Sequence, residues 1–180
     1  MTSGAHGLEQ WQQALQPLEA EGSWAALVKA AKRCLAESGC HGGIEEAYLA
    51  YMAGKGLVEQ KLWLKAEPLL LRSVQLHPDF AYSQHLLGLC LGQRENWLSA
   101  LLAQQRCTRL APTFAYGWYA QGMAALELGD NESAQACFQQ ALQLDNSPPW
   151  FHLQHGIARI RAALGRAAVA EAAKAMGANY

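Results

Sequence analysis

Apolar residues along the chain recur at helical spacing, in runs broken at regular intervals by short polar or glycine-containing segments, so the sequence predicts helices joined by tight turns. The clearest turns are Gly92-Gln93-Arg94-Glu95-Asn96, Gly129-Asp130-Asn131 and Gly165-Arg166. The pattern also repeats. Gly54, Gly88, Gly122 and Gly156 stand at one constant interval, and so do Ala66, Ala100, Ala134 and Ala168. Pro78 and Pro112 keep the same interval, with Asn146 at the next step and Pro148-Pro149 just after it. Three ladders on one period, about 34 residues long, predict a chain of two-helix units. The small residue on each helix is expected where the two backbones of a unit approach closely. Proline disfavours helix in the residue before it, and so ends one unit and starts the next. Trp63 and Trp97, with Trp24 as a third, fall in the first turn of the second helices, where aromatics fill the core.

The stretch Trp118-x-x-Gln121-Gly122, followed by Ala134-x-x-x-Phe138 and Ala141, resembles the tetratricopeptide repeat, a helix-turn-helix unit of about 34 residues. Leu87-Gly88-x-x-Leu91, Ala100 and Pro112 give the neighbouring unit; Gly54-x-x-Leu57, Ala66 and Pro78 give the one before. Gln84 and Ala50 replace the pattern's tryptophan, Gln104 and Leu70 its phenylalanine, and Ala125 its tyrosine, all read as changes of size. The resemblance implies an all-α fold, a right-handed superhelical solenoid of helix-turn-helix repeats. Three units are expected at 47–80, 81–114 and 115–148. Residues 1–46 hold a degenerate repeat at about 8–41 and a glycine-rich connection around Glu37–Gly43. Residues 149–180 form a C-terminal unit, repeat-like or capping, in which His152 and Arg159 stand where large apolar residues are usual.

Composition narrows the function. With 51% hydrophobic residues among 180, the chain can bury a core. Fourteen basic against 15 acidic residues leave a net charge of −1, which offers no footprint for nucleic acid or an anionic membrane. The N-terminal residues have no basic flank or apolar segment of a secretory signal, and no apolar run is long enough to span a bilayer, so a cytoplasmic protein is expected. Of the five cysteines, Cys90, Cys107 and Cys137 lie in helical patterns as small core residues, without disulfide or zinc spacing.

In the family the first helix of each unit lines the concave face, where a partner peptide lies. Counted by the period, the first turn of these helices carries Tyr48, Tyr82, Tyr116 and Trp150, and one turn on come Tyr51, His85, Tyr119 and Leu153. Further along lie Lys55, Leu89, Met123 and Ile157, then Glu59, Gln93, Glu127 and Arg161. The aromatic rows either line a binding groove or pack between neighbouring helices. The groove candidates are Tyr48, Tyr51, Lys55, Tyr82, His85, Leu89, Tyr116, Tyr119, Met123 and Trp150. Relatives that grip the acidic C-terminus of heat-shock chaperones use clustered Lys, Asn and Arg, of which only Lys55 has a counterpart here. An extended apolar or proline-containing segment of another protein suits an aromatic groove better.

No metal or cofactor is expected. His152 and His155 have no third ligand, and Cys34, Cys40 and His41 match no zinc spacing. Nucleophile, phosphate-loop and paired-acid motifs are absent, so the expected role is a scaffold and not an enzyme. Two other roles fit the same residues: the N-terminal module of a glycosyl-, sulfo- or methyltransferase, and a secretion chaperone. The chain is expected to be a monomer, or a weak homodimer through an apolar end face at 167–176.

Overall fold

The computed structural model describes residues 3–37 and 43–175. Among them are nine helices and no strand: α1 (Ser3–Ala20), α2 (Trp24–Glu37), α3 (Ile44–Glu59), α4 (Trp63–Leu76), α5 (Ala81–Gln93), α6 (Trp97–Leu110), α7 (Ala115–Glu127), α8 (Asn131–Leu144) and α9 (Pro149–Ala175). The glycine-rich connection, with Cys40 and His41, and the segment after Ala175 lie outside the described residues. Two compact units divide the chain, Met1–Leu110 and Ala111–Tyr180, with the boundary in the turn before Pro112. In the first, α1, α3 and α5 pack in sequence on one another, and α2, α4 and α6 form a second layer on them. In the second, α7 packs on α8, and α9 on both.

The glycine ladder works by a different contact from the one expected. A Cβ added at Gly54 would sit 2.7 Å from Leu70 Cγ, one at Gly88 2.4 Å from Gln104 Nε2, and one at Gly122 2.8 Å from Phe138 Cε1. The glycines therefore receive large side chains from the second helix, and it is not backbone that approaches them. Leu70, Gln104 and Phe138 are themselves one period apart and buried. Ala66, Ala100 and Ala134 are buried beside them.

The turn within each pair has its own ladder. Gly22, Lys61, Glu95 and Gly129 adopt φ of 68°, 59°, 60° and 81°, the left-handed conformation that reverses the chain after the first helix. Two of the four carry side chains in a region that favours glycine. Beyond it, Trp24, Trp63 and Trp97 open α2, α4 and α6 and pack partly buried, as expected. Asp130 caps α8 by accepting from the Ser133 N–H at 3.1 Å.

The C-terminal unit departs from the helix-turn-helix expected there. Helix α9 runs unbroken for 27 residues through Gly165-Arg166. The step that would carry the left-handed residue falls on Ala163, which stays helical. With no second helix folding back, nothing lies within 4 Å of a Cβ at Gly156 or Gly165, and Ala168 is exposed. The last rungs of the glycine and alanine ladders thus keep the residue and lose its packing.

Two glycines of one ladder should then respond oppositely to alanine. Gly122→Ala drives a methyl into the buried Phe138 ring and should destabilise by about 1–2 kcal/mol, overpacking exceeding the gain in helix propensity. Gly156→Ala meets open space and should stabilise by up to about 1 kcal/mol. Urea unfolding of both variants measures the sign; destabilisation by both would mean that α9 packs as a full repeat.

Candidate functional site

In the first unit, the aromatic rows converge around the turn that precedes α5. The Phe80 N–H donates to the His77 carbonyl at 3.2 Å, and the Phe80 carbonyl accepts from Ser83 N–H at 3.1 Å. This closed turn lays the Phe80 ring across Tyr51, centroids 4.7 Å apart at 57°. Tyr82 meets Phe80 edge-on at 6.2 Å, and Tyr48 stands 6.4 Å from Tyr51. Together with His77, Ile44 and Ala47 these rings enclose a cavity of about 360 Å3, closed on one side by Leu8 and Gln12 of α1. Among the described residues no Asp, Glu, Lys or Arg lines it. Burial first, and Glu19 second, push the Tyr48 and Tyr51 hydroxyls above their ordinary range, so both stay protonated and able to donate.

The second unit has an aromatic cluster of its own, built on Phe151. That ring is fully buried, stacked on Tyr119 at 4.6 Å and 14°, with Tyr116 edge-on at 5.4 Å and Trp150 at 6.4 Å. Phe114 occupies the position of Phe80, immediately before its helix, and lies 6.1 Å from Tyr116.

The two predicted rows therefore part ways. In the first row Tyr82, Tyr116 and Trp150 are 47%, 44% and 50% exposed, and Tyr48 is partly so. In the second, Tyr51 and Tyr119 pack against the phenylalanine that follows in the fold, while Leu153 is exposed. His85 turns inward: its Nδ1 lies 3.0 Å from Gln104 Oε1, and Gln104 Nε2 donates to the His85 carbonyl at 3.0 Å. Lys55 is paired with Glu19 of α1. Leu89 packs partly buried against the core, and Met123 is also partly buried.

Several residues that build these surfaces are absent from the sequence-based set. Phe80 and Phe114 keep the interval of the repeat, so a signal existed. Phe151 had none, because its equivalents are Ser83 and Gly117. Polar replacements in the tryptophan ladder also carry more than a change of size. Gln84 Nε2 donates to the Pro78 carbonyl at 3.1 Å and Trp118 Nε1 to the Pro112 carbonyl at 2.8 Å. His152 Nε2 stands 3.1 Å from the Asn146 carbonyl. Each ties the first helix to the turn just before it through a ring or amide nitrogen, which Ala50 at the same position lacks.

Elsewhere the chemistry is quiet. Burial pushes the Cys90 thiol up to about 12 and those of Cys107 and Cys137 up to about 11, leaving them protonated and unreactive. Among the described residues no group of three His, Cys, Asp or Glu could hold a metal ion. A cleft of about 470 Å3 is lined by Pro78, Asp79, Gln84, Arg106, Arg109 and Leu110, and one of about 560 Å3 by Gln135, Gly156, Arg159, Ile160, Ala163 and Arg166. Both have charged walls, unlike the aromatic cavity. Among the described residues no helix is long and apolar enough to cross a membrane.

Paired helices, period and left-handed turns define an all-α helical-repeat solenoid. The tetratricopeptide-repeat family model matches residues 115–148, the unit of α7 and α8. Solved structures with the same fold include MamA from Desulfovibrio magneticus RS-1, 18% identical over 96% of this chain and 94% of that one, with a TM-score of 0.72. The first TPR of Spaghetti (RPAP3), bound to the HSP90 peptide SRMEEVD, is 14% identical over 69% and 99%, with a TM-score of 0.64. The TPR2B domain of yeast Sti1, in complex with an Hsp70 peptide, is 15% identical over 64% and 98%, with a TM-score of 0.59. No curated relative matches the sequence. The chain thus carries a tetratricopeptide repeat at residues 115–148 and shares the fold of tetratricopeptide-repeat structures.

The buried His85 supplies a pH test. Burial depresses its pKa below the ordinary value, so the folded chain favours the neutral ring. Stability present above the unfolded value of about 6.5 should be lost as pH falls below it. Thermal unfolding between about pH 7 and pH 5 should show that loss, and His85→Gln should remove part of it. His155, lowered by burial and by Arg159 and His152, accounts for a remainder.

Proposed function

We propose that this protein is an interaction scaffold whose aromatic surfaces bind an extended apolar or proline-containing segment of another protein. The observation that carries the reading is the division of the rows in the first unit. Tyr51 and Phe80 form a packed floor, and Tyr82 and Tyr48 stand at the edge of a cavity whose described lining holds no charged side chain. Aromatic shelves accept proline rings and preformed extended backbone at low entropic cost. The second unit offers Tyr116 and Trp150 over Phe151 in the same manner. Packed repeats of this kind ordinarily bind and do not catalyse.

Two structural relatives hold chaperone peptides, and one of those peptides ends in Glu-Glu-Val-Asp. An acidic ligand of that type fits this chain poorly. Helices α1, α3 and α5 carry one lysine, Lys55, and Glu19 already engages it. Those three helices also carry five glutamates, which would repel an acidic peptide.

Fluorescence polarisation with two labelled peptides separates the possibilities, one of alternating leucine and proline and one SRMEEVD. The first should bind, and Tyr82→Ala, which leaves the fold intact because the ring is exposed, should weaken it about tenfold. Binding of SRMEEVD alone, or indifference to the tyrosine, would overturn the reading.

A further inference from the structure

The overall charge of −1 hides a partition within the first unit. Helices α1, α3 and α5 carry Glu9, Glu19, Glu45, Glu46 and Glu59 against Lys55. The second layer, α2, α4 and α6, is the reverse, with exposed Lys29, Lys32, Lys65, Arg72, Arg106 and Arg109. Arg72 spends part of its charge on Glu46, at 2.8 Å. Among the described side chains this layer exposes no Asp or Glu: Glu67 is partly buried and accepts both carboxylate bonds from Arg94 at 2.9 Å.

The same surface carries leucines where water-facing helix positions ordinarily hold polar residues. Leu64 and Leu98, equivalent by the period and each the second residue of its helix, are 72% and 61% exposed. Leu71 on α4 and Leu102 on α6 are exposed as well. None of the four lines any of the cavities described above. They are knobs on helices that also carry the exposed cations.

We propose that the faces of α2, α4 and α6 turned away from the core form a peripheral docking surface for an anionic phospholipid bilayer. Lysine and arginine side chains meet the lipid headgroups, and the leucines enter the boundary between headgroup and acyl chain. A bilayer deforms around protruding side chains, so it needs no complementary groove. A nucleic-acid backbone would satisfy the cations and leave the leucines in water, which disfavours that class of partner. This surface is separate from the aromatic cavity and independent of the peptide reading.

Flotation of the full chain with vesicles tests it. Phosphatidylcholine vesicles containing phosphatidylserine should carry the protein upward at low salt, release it at high salt, and pure phosphatidylcholine should carry none. The paired variant Leu64→Glu/Leu98→Glu should cut the bound fraction about tenfold, and Lys29→Glu/Lys65→Glu should do the same. All four sites are exposed, and circular dichroism and melting should match wild type. Tyr82→Ala should float as wild type does. Absence of binding to the anionic vesicles, or equal binding by either paired variant, overturns the proposal. So does sedimentation of wild type without vesicles that the leucine variant abolishes, since a second copy would then be the occupant.

Discussion

One contact organises three of the helix pairs, α3–α4, α5–α6 and α7–α8: a glycine on the first helix receives the largest buried side chain of the second. The clearances of 2.4–2.8 Å at Gly54, Gly88 and Gly122 leave no room for a methyl group. Everything else in the pair follows from that seat. It sets how closely α3 lies to α4, α5 to α6 and α7 to α8. The seated residue need not be apolar. At Gly88 it is Gln104, whose amide is satisfied by the ring and carbonyl of His85, so that a buried polar group is tolerated where its partners are fixed. Where no side chain arrives, at Gly156, the second helix of the pair is missing and α9 runs on.

The seat also sorts the aromatics. Tyr51 and Tyr119 lie one turn beyond Tyr48 and Tyr116, and that offset turns them toward Phe80 and Phe151. The outward row then stands over a packed aromatic floor. Packed and exposed aromatics, which a ladder in sequence does not distinguish, occupy alternate rows of the structure. Of the supporting phenylalanines, Phe80 stands at a turn, just before α5, and Phe151 inside α9.

Electrostatics shows the same separation by layer. In the first unit, glutamates cluster on the helices that carry the aromatic surface, and lysines and arginines on the layer behind; Glu46–Arg72 joins the two in that sense, and Glu67–Arg94 joins them in the reverse sense. A near-zero total excludes a uniformly basic surface but says nothing of a face, since the sum does not record on which side of a helix a charge stands.

The residues alone disclosed the period, the paired helices, the positions of the turns and the identity of the tyrosine rows. These are local properties, restated in unit after unit, and each repetition adds to the signal. What they could not disclose depends on which neighbour a side chain meets. Leu70, Gln104 and Phe138 share one position of the repeat and read as changes of size until the glycine seat opposite each is seen, and Gln84 reads the same way until its bond to the preceding turn appears. Phe151 gave no sign of its role, for the repeat supplies Ser83 and Gly117 in its place. Gly165-Arg166 reads as a turn, yet α9 passes through it, because a chain reverses only where a second helix gains more by packing back than the first gains by continuing. That balance belongs to the tertiary structure, as does the division of the charges between the two layers.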